Sequence, residues 1–317
     1  MKNNVISQIR EKAIWLVLVI MVITFAFASN RFLSSSNLFT VARQVSMYGI
    51  ASVGMTFVIL IGGIDLSTGS IITIVNVVCA YLMVKSGFSM PAAIICALIL
   101  SIFIGLLNGI MVAHIKMPAI IATFATQIIF SGAAFMISGG TPIFGFDARF
   151  KVIGQGYIGP VPVPVIIMAV CFGLGAFILN KTYFGRFFYA VGGNEEASKL
   201  SGINVKAIKI LIYSLSGFFA GLAGIVMLSR TNSAQSTAGV GFEFDVITCV
   251  VLGGVSVSGG YGKISNVIAG VLIIGVLTNG MVLLNVSTYT QMIVKGLVLI
   301  LAVGFDSLQS KQMKAIG

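Results

Sequence analysis

Eight acidic residues and one histidine are all the side-chain carboxylates and imidazoles in a chain of 317 residues. The densest chemistry lies in Gly62-Gly63-Ile64-Asp65-Leu66-Ser67-Thr68-Gly69-Ser70, which joins two apolar runs almost without a loop. A carboxylate at the centre of a membrane helix costs about 2.5–3.5 kcal/mol. Asp65 is therefore expected at a helix end, in a cavity, or as partner to exposed backbone amides. Two readings stay open for Asp65 and Ser67: capping of a helix, or a break whose backbone meets a solute. Apolar runs also hold the amides Asn76, Asn108, Gln127 and Asn279, with Thr73, Thr123 and Thr126 nearby. Such amides hold helices together by about 0.6 kcal/mol on average. A path for a hydroxyl-rich solute would need the same neutral donors and acceptors. Glu243 and Asp245, in Gly239-Val240-Gly241-Phe242-Glu243-Phe244-Asp245, either cap the helix that follows or meet an extracytoplasmic partner. Lys295, near the outer end of an apolar run, is read as reaching out to water in preference to forming an ion site.

The polar segment 180–209 reads Gly192-Gly193-Asn194-Glu195-Glu196-Ala197-Ser198-Lys199-Leu200-Ser201-Gly202-Ile203 at its centre. Asn194 can cap a helix whose first turn carries Glu195 and Glu196 at its positive end, and Gly202 can end it in a left-handed conformation. The result is a helix of about two turns. It is either a solvated turn between membrane spans or a rigid element by which a membrane subunit docks into a motor subunit.

Machinery for catalysis is missing. His114 stands beside Lys116 as a solvated residue, and no HExxH, GxSxG or Cys/His cluster occurs. The phosphate-cradling GxxxxGK[ST] is approached only at Gly262-Lys263, where Val257 replaces the first glycine and Ile264 follows the lysine. The chain is expected to have no catalytic residues, no metal site and no ATPase site, so any ATP-driven activity calls for a partner. Cys79, Cys96, Cys171 and Cys249 lie in apolar runs without a CxxC pair and are read as small buried apolar side chains.

The elements that must position these residues are transmembrane helices. Hydrophobic residues make up 58% of the chain and charged residues 9%, against about 25% charged in a soluble domain. The apolar runs do not alternate as barrel strands do, so the fold class is all-α integral membrane, with about ten transmembrane helices. The expected spans are Ala13–Ala28, Val45–Gly63, Ser70–Val84, Pro91–Ala113, Ala119–Ser138, Val161–Leu179, Ile210–Leu228, Asp245–Val257, Ile264–Leu284 and Gln291–Phe305. Residues 1–317 read as a single transmembrane domain containing the loop 180–209. Ala26-Phe27-Ala28 also resembles a signal-peptidase site, but retention of the first span is preferred because no soluble exported domain follows.

With the N-terminus inside, the inner segments hold Lys2, Arg10, Lys12, Lys116, Lys181, Arg186, Lys199, Lys206, Lys209, Lys263, Lys311 and Lys314. The outer segments hold fewer basic residues: Arg31, Arg43, Lys85, Arg149, Lys151 and Arg230. The positive-inside rule thus puts both termini in the cytoplasm, and the net charge of +11 needs no nucleic-acid partner. One internal echo pairs Leu60-Ile61-Gly62-Gly63-Ile64-Asp65-Leu66-Ser67 with Val251-Leu252-Gly253-Gly254-Val255-Ser256-Val257-Ser258. It marks either a duplicated half or a chance likeness of glycine-rich helix ends.

These segments, together with Asn108-Gly109, Gly185-Arg186, Gly239, Gly241-Phe242-Glu243, Gly259-Gly260 and Asn279-Gly280, carry a resemblance. In order and spacing the chain resembles the permease subunits of bacterial ABC importers for monosaccharides, the ribose-type permeases, over nearly its whole length. It departs from many relatives at Ser256 and at Lys263-Ile264-Ser265-Asn266, which bears on the substrate. The resemblance implies a fold like that of the vitamin-B12-type importer permeases, sited in the bacterial cytoplasmic membrane. It implies a second permease, either another copy or a similar chain, and a cytoplasmic ABC ATPase, binding ATP and Mg, docked at Gly193, Asn194, Glu195, Glu196, Ala197, Ser201 and Gly202. It implies also an extracytoplasmic sugar-binding protein, for which Glu243 and Asp245 are the candidate contacts. Asp65, Ser67, Asn76, Asn108, Gln127 and Asn279 are the candidates for the path of a ribose-like pentose or a hexose. Two other readings are the same fold carrying a nucleoside or branched-chain amino acid, and an ion-coupled secondary transporter. The scarcity of intramembrane acids speaks against the last.

Overall fold

The computed structural model describes the backbone of residues 2–316 and the side chains of residues 13–308. In chain order its elements are α1 (Lys2–Ala28), α2 (Ser35–Leu60), α3 (Thr68–Val84), α4 (Met90–Ala113), α5 (Ala119–Ser138), α6 (Ala148–Gln155), β1 (Tyr157–Ile158), β2 (Val161–Pro162), α7 (Val163–Lys181), α8 (Tyr183–Gly193), α9 (Glu195–Leu200), α10 (Val205–Thr231), α11 (Phe242–Leu252), α12 (Ile264–Leu283) and α13 (Thr288–Ile316). Every expected span falls on a helix. Two stop three or more residues short of their expected ends: α2 at Leu60 rather than Gly63, where Gly62 turns the chain at φ +71°, and α11 at Leu252 rather than Val257, where Gly254 turns it at φ +82°. Among the described residues, α4, α5, α7, α10, α12 and Thr288–Leu308 of α13 are each long and apolar enough to cross a membrane. Of the basic residues that orient the chain, Lys2, Arg10, Lys12, Lys311 and Lys314 lie outside the described side chains.

Helix α10 sits at the centre, packed on α4, α2 and α3. The α4–α10 contact is backbone against backbone. A methyl group on Gly105 would fall 2.2 Å from the Tyr213 carbonyl oxygen, and one on Gly217 would fall 2.3 Å from that of Ser101. Lipid offers no hydrophobic drive for helices to associate, so close approach through small residues supplies the van der Waals contact instead. The buried apolar side chains form one main cluster reaching from Val41 to Ile274. A smaller cluster of Leu18, Phe32, Ile273 and Val276 seats α1 on α12. Ala26-Phe27-Ala28 is the last turn of α1.

The outer faces are as apolar as the core. Ile120, Ile121, Phe124, Ile128 and Ile129 of α5 are all exposed, which is tolerable against lipid or protein but not against water. Cys79, Cys171 and Cys249 are buried as expected, whereas Cys96 is on the outer surface of α4.

Three elements were not anticipated: α6, α8 and the short hairpin of β1 and β2. Helix α6 starts where the Asp147 carboxylate accepts the Arg149 N–H at 2.8 Å. It is tied to α10 by Ser229, whose hydroxyl donates to the Phe150 carbonyl at 2.5 Å and accepts the Gly154 N–H at 2.7 Å.

The α4–α10 contact makes a prediction. Gly217→Ala is expected to cost about 1–3 kcal/mol by forcing the two backbones apart, read as a lower unfolding midpoint of the purified protein in detergent. Gly132→Ala, where an added methyl meets nothing within 4 Å, should leave the midpoint unchanged or raise it. Equal effects of the two substitutions would refute the contact's importance.

Candidate functional site

Between α2 and α3 the chain leaves helical geometry at Ile61 and turns at Gly62, φ +71°. Asp65 is fully buried there. Its Oδ1 accepts from the Ser67 N–H at 3.0 Å and from the Ser67 hydroxyl at 2.5 Å, and its Oδ2 accepts from the Ser216 hydroxyl of α10 at 2.7 Å. A carboxylate with donors on both oxygens closes the turn that starts α3. Ser67 in turn accepts from Asn108 Nδ2 of α4 at 2.8 Å, and Asn108 Oδ1 accepts from Thr126 of α5 at 2.8 Å. Thr123 Oγ1 takes up the Leu66 N–H at 3.1 Å. The break thus binds α3, α4, α5 and α10 together through polar groups.

From this knot a polar seam runs along one face of α3. Gly69, Thr73 and Asn76 follow at i, i+4 and i+7, so they share a face. Gly69 has no side chain because Glu243 Oε2 and the Gly239 carbonyl lie where a methyl would be, at 2.1 and 2.4 Å. Glu243 Oε1 accepts from Gln127 Nε2 of α5 at 2.7 Å. Thr73 Oγ1 accepts the Gly239 N–H at 2.9 Å, and Asn76 Oδ1 the Gln235 N–H at 3.2 Å. From Ser67 to Asn76 the seam is about 13 Å long at the helical rise. Two of its buried atoms, Asn76 Nδ2 and Glu243 Oε2, have no hydrogen-bond partner. Asp65, Ser67, Asn108, Gln127 and Asn76 therefore lie along one seam. Asn279 does not: it makes a reciprocal pair with Asn37, 2.9 Å in each direction, that ties α12 to the start of α2.

Glu243 and Asp245 both fall in the first turn of α11, and both are turned inward. Glu243 is in the seam, and Asp245 Oδ2 pairs with Lys295 Nζ of α13 at 2.7 Å. The exposed side chains of that segment are Val240 and Phe244. The pairing also corrects the reading of Lys295. Its ammonium is held by a carboxylate on the neighbouring helix and lies 6.0 Å from the centre of the Tyr48 ring, an arrangement that compensates a charge removed from water.

The polar segment 180–209 does form the expected short helix. Asn194 Oδ1 caps α9 by accepting the Ala197 N–H at 3.0 Å, and the chain leaves at Gly202 with φ +84°. The Ser201 hydroxyl donates to the Ala197 carbonyl at 2.9 Å, and Glu195 pairs with Lys209 of α10 at 2.7 Å. Leu200, at the tip, is 88% exposed. Helix α8 precedes α9 and lies on the core by Phe188, whose ring meets Phe57 edge-on at 5.5 Å. The apolar spacing Phe184, Phe188, Val191 was a readable sign of it.

The two echoed segments meet in space. The Leu60 carbonyl, left open at the end of α2, accepts the Gly260 N–H at 2.8 Å. A methyl on Gly192 would lie 1.8 Å from that same oxygen, and one on Gly259 would lie 2.8 Å from Gly62 N. Backbones of the α2–α3 break, the α8–α9 junction and the α11–α12 loop thus touch directly. In the α11–α12 loop a carboxylate again closes the turn, here supplied by α13. Asp306 Oδ2 accepts from the Ser256 hydroxyl at 3.0 Å and from the Val257 N–H at 2.9 Å. Sequence reasoning missed Asp306, which follows the last apolar run with no motif around it. Tyr189 of α8 donates to the Gly262 carbonyl at 2.8 Å. Burial raises its phenol pKa, opposed by the charge of Lys263, and the group stays a donor at neutral pH.

Comparison with known proteins points one way. Residues 37–303 match the family model described as "Branched-chain amino acid transport system / permease component". The chain is 44% identical over 298 residues to the ribose import permease protein RbsC of Bacillus subtilis (strain 168), covering 93% of this chain and 92% of that protein. It is 41% identical over 301 residues to RbsC of Haemophilus influenzae, covering 94% and 93%. It is also 38% identical over 300 residues to the L-arabinose transport system permease protein AraH of Escherichia coli (strain K12), covering 95% and 91%. No solved structure matches the chain.

Two expectations follow from the geometry. Asp65→Ala strands three donors out of reach of water and is expected to cost about 2–4 kcal/mol, against about 1 kcal/mol for Ser216→Ala, both read from denaturant unfolding in micelles. For the Asp245–Lys295 pair, each single change to Asn or Met should cost about 1–3 kcal/mol, and the double change less than their sum. Strict additivity would show that the pair contributes nothing.

Proposed function

The chain belongs to this permease family, as a ribose-type sugar permease of an ABC importer, and from that premise we propose that it carries a ribose-like pentose inward under the drive of an ATPase on a separate chain. The observation that carries the coupling role is α9. It is capped at Asn194, stopped at Gly202, braced by the Glu195–Lys209 pair and exposed at Leu200. A short helix so held can receive a push at its tip without melting. Its base at Gly192 touches the end of α2 through backbone alone, so displacement of α9 is passed to the break at Asp65.

The rest of the reading follows. Helices α1–α5, α7 and α10–α13 cross the membrane, about ten in all, in an arrangement like that of the vitamin-B12-type importer permeases. Helices α6, α8 and α9 lie at its surfaces. Residues 1–317 act as one permease domain with both termini and α9 on the cytoplasmic side. ATP and Mg are bound by the partner ATPase, and this chain has no ATPase site. An extracytoplasmic sugar-binding protein delivers the solute, and a second permease copy completes the path. The seam along α3 lines that path for hydroxyl-bearing solutes, for which the unpartnered Asn76 Nδ2 and Glu243 Oε2 are suited.

The test is a mild-detergent pull-down of the tagged chain from its native membranes, with co-purifying proteins identified by mass spectrometry. A P-loop ATPase should be recovered, and lost when Asn194–Gly202 is altered. Glu195→Lys should lower ATP-dependent ribose uptake by about tenfold at unchanged membrane abundance. Recovery of the chain alone, with uptake persisting without ATP, would overturn the proposal.

A further inference from the structure

Beside α9 lies an open cavity of about 620 Å³, lined by the α4–α5 turn, α9, the first turns of α10 and the α2–α3 break. Its charged lining is Lys116, Glu195, Glu196, Lys199, Lys206 and Lys209. Lys209 is neutralised by Glu195 at 2.7 Å. Among the described residues no carboxylate lies within ion-pair distance of Lys116, Lys199 or Lys206, which leaves them facing Glu196 alone. An excess of positive charge in a concave site concentrates anions.

A second and independent observation comes from the inner end of the cavity. Tyr213 lines it about 12 Å from the start of α10 at the helical rise. The residue is fully buried, and its hydroxyl has no hydrogen-bond partner. A buried hydroxyl without a partner is costly and calls for a ligand or a water. Gly63 lies directly against this hydroxyl: a methyl there would come within 2.6 Å of the Tyr213 oxygen. At the mouth, Lys116 holds a left-handed conformation, φ 61°, at a helix end where glycine is the usual residue.

We propose that this cavity binds a phosphate that carries a hydroxylated substituent, with the phosphate on Lys116, Lys199 and Lys206 and the substituent reaching Tyr213. Two sources share that chemistry: a free sugar phosphate and the headgroup of a glycerol phospholipid. Either occupant ties the α4–α5 turn to α9 and so opposes movement of α9. The site is distinct from the α3 seam and is tested without ATP, ATPase or transport.

The full chain is reconstituted in nanodiscs of phosphatidylcholine alone, and in others containing phosphatidylglycerol. It is titrated calorimetrically with ribose 5-phosphate, inorganic phosphate and ribose. Saturable binding of ribose 5-phosphate in the neutral discs identifies a free phosphate ligand. Selective retention of phosphatidylglycerol by native mass spectrometry, with loss of ribose 5-phosphate binding in the anionic discs, identifies the headgroup. The triple variant Lys116→Gln, Lys199→Gln, Lys206→Gln is expected to weaken either ligand at least about tenfold. Tyr213→Phe, which removes only the unpartnered hydroxyl, should weaken ribose 5-phosphate by about fivefold and leave inorganic phosphate unchanged. Binding of neither ligand, equal binding of unphosphorylated ribose, or binding indifferent to the triple variant would overturn the proposal.

Discussion

A helix that ends among apolar neighbours, out of reach of water, must find partners within the protein for the backbone groups its ending leaves open. That requirement organises this molecule. Helix α2 ends in the interior, and the carbonyl of Leu60 is taken up by the N–H of Gly260, from a loop two hundred residues further along the chain. Helix α3 starts in the interior, and the first N–H groups of its turn go to Asp65 and Thr123. The price of placing a carboxylate there is met by donors from Ser67 and Ser216, which bring α10 and, through Asn108, α4 to the same point. The central packing and the break are therefore one construction.

The same logic explains where charges survive inside. Asp306 closes the turn after α11 much as Asp65 closes the turn after α2. Aligning the echoed segments puts Ser256 opposite Asp65. Where the first segment carries its own acid, the second borrows one from α13. Asp245 and Lys295 neutralise one another across α11 and α13. Each interior acid named here has a positioned donor or cation, and each has at least one such contact with an element distant in sequence.

The helices were readable because lipid-facing and core-facing sides are both apolar, so runs of about 20 residues declare themselves by length alone. For the same reason nothing in the runs said which side faced inward, and the candidate path residues were chosen by type rather than by facing. Asp65, Ser67, Asn76, Asn108 and Gln127 prove to share a seam. Asn279, of the same type, is occupied in joining α12 to α2. Short elements were read where a cap and a stop bracket them, as Asn194 and Gly202 bracket α9. They were missed in α6, whose cap at Asp147 stood without a strong apolar period after it. Partners of buried charges were the hardest to foresee, since the Asp245–Lys295 contact spans fifty residues and follows from packing that no local pattern encodes.

The joint at Leu60, Gly192 and Gly260 has a mechanical meaning. Side chains between two elements act as cushions, because their rotamers can give when one element is pushed. Here no cushion is present. The carbonyl of Leu60 meets one backbone N–H and leaves no room for even a methyl group on Gly192. Under the proposed coupling role, a load on α9 reaches the end of α2 through direct contact of backbone with backbone at Gly192, with no side chain between to absorb it. Under that proposal the exposed tip at Leu200 is free to vary with the partner it meets, while the glycines beneath it are held by geometry alone.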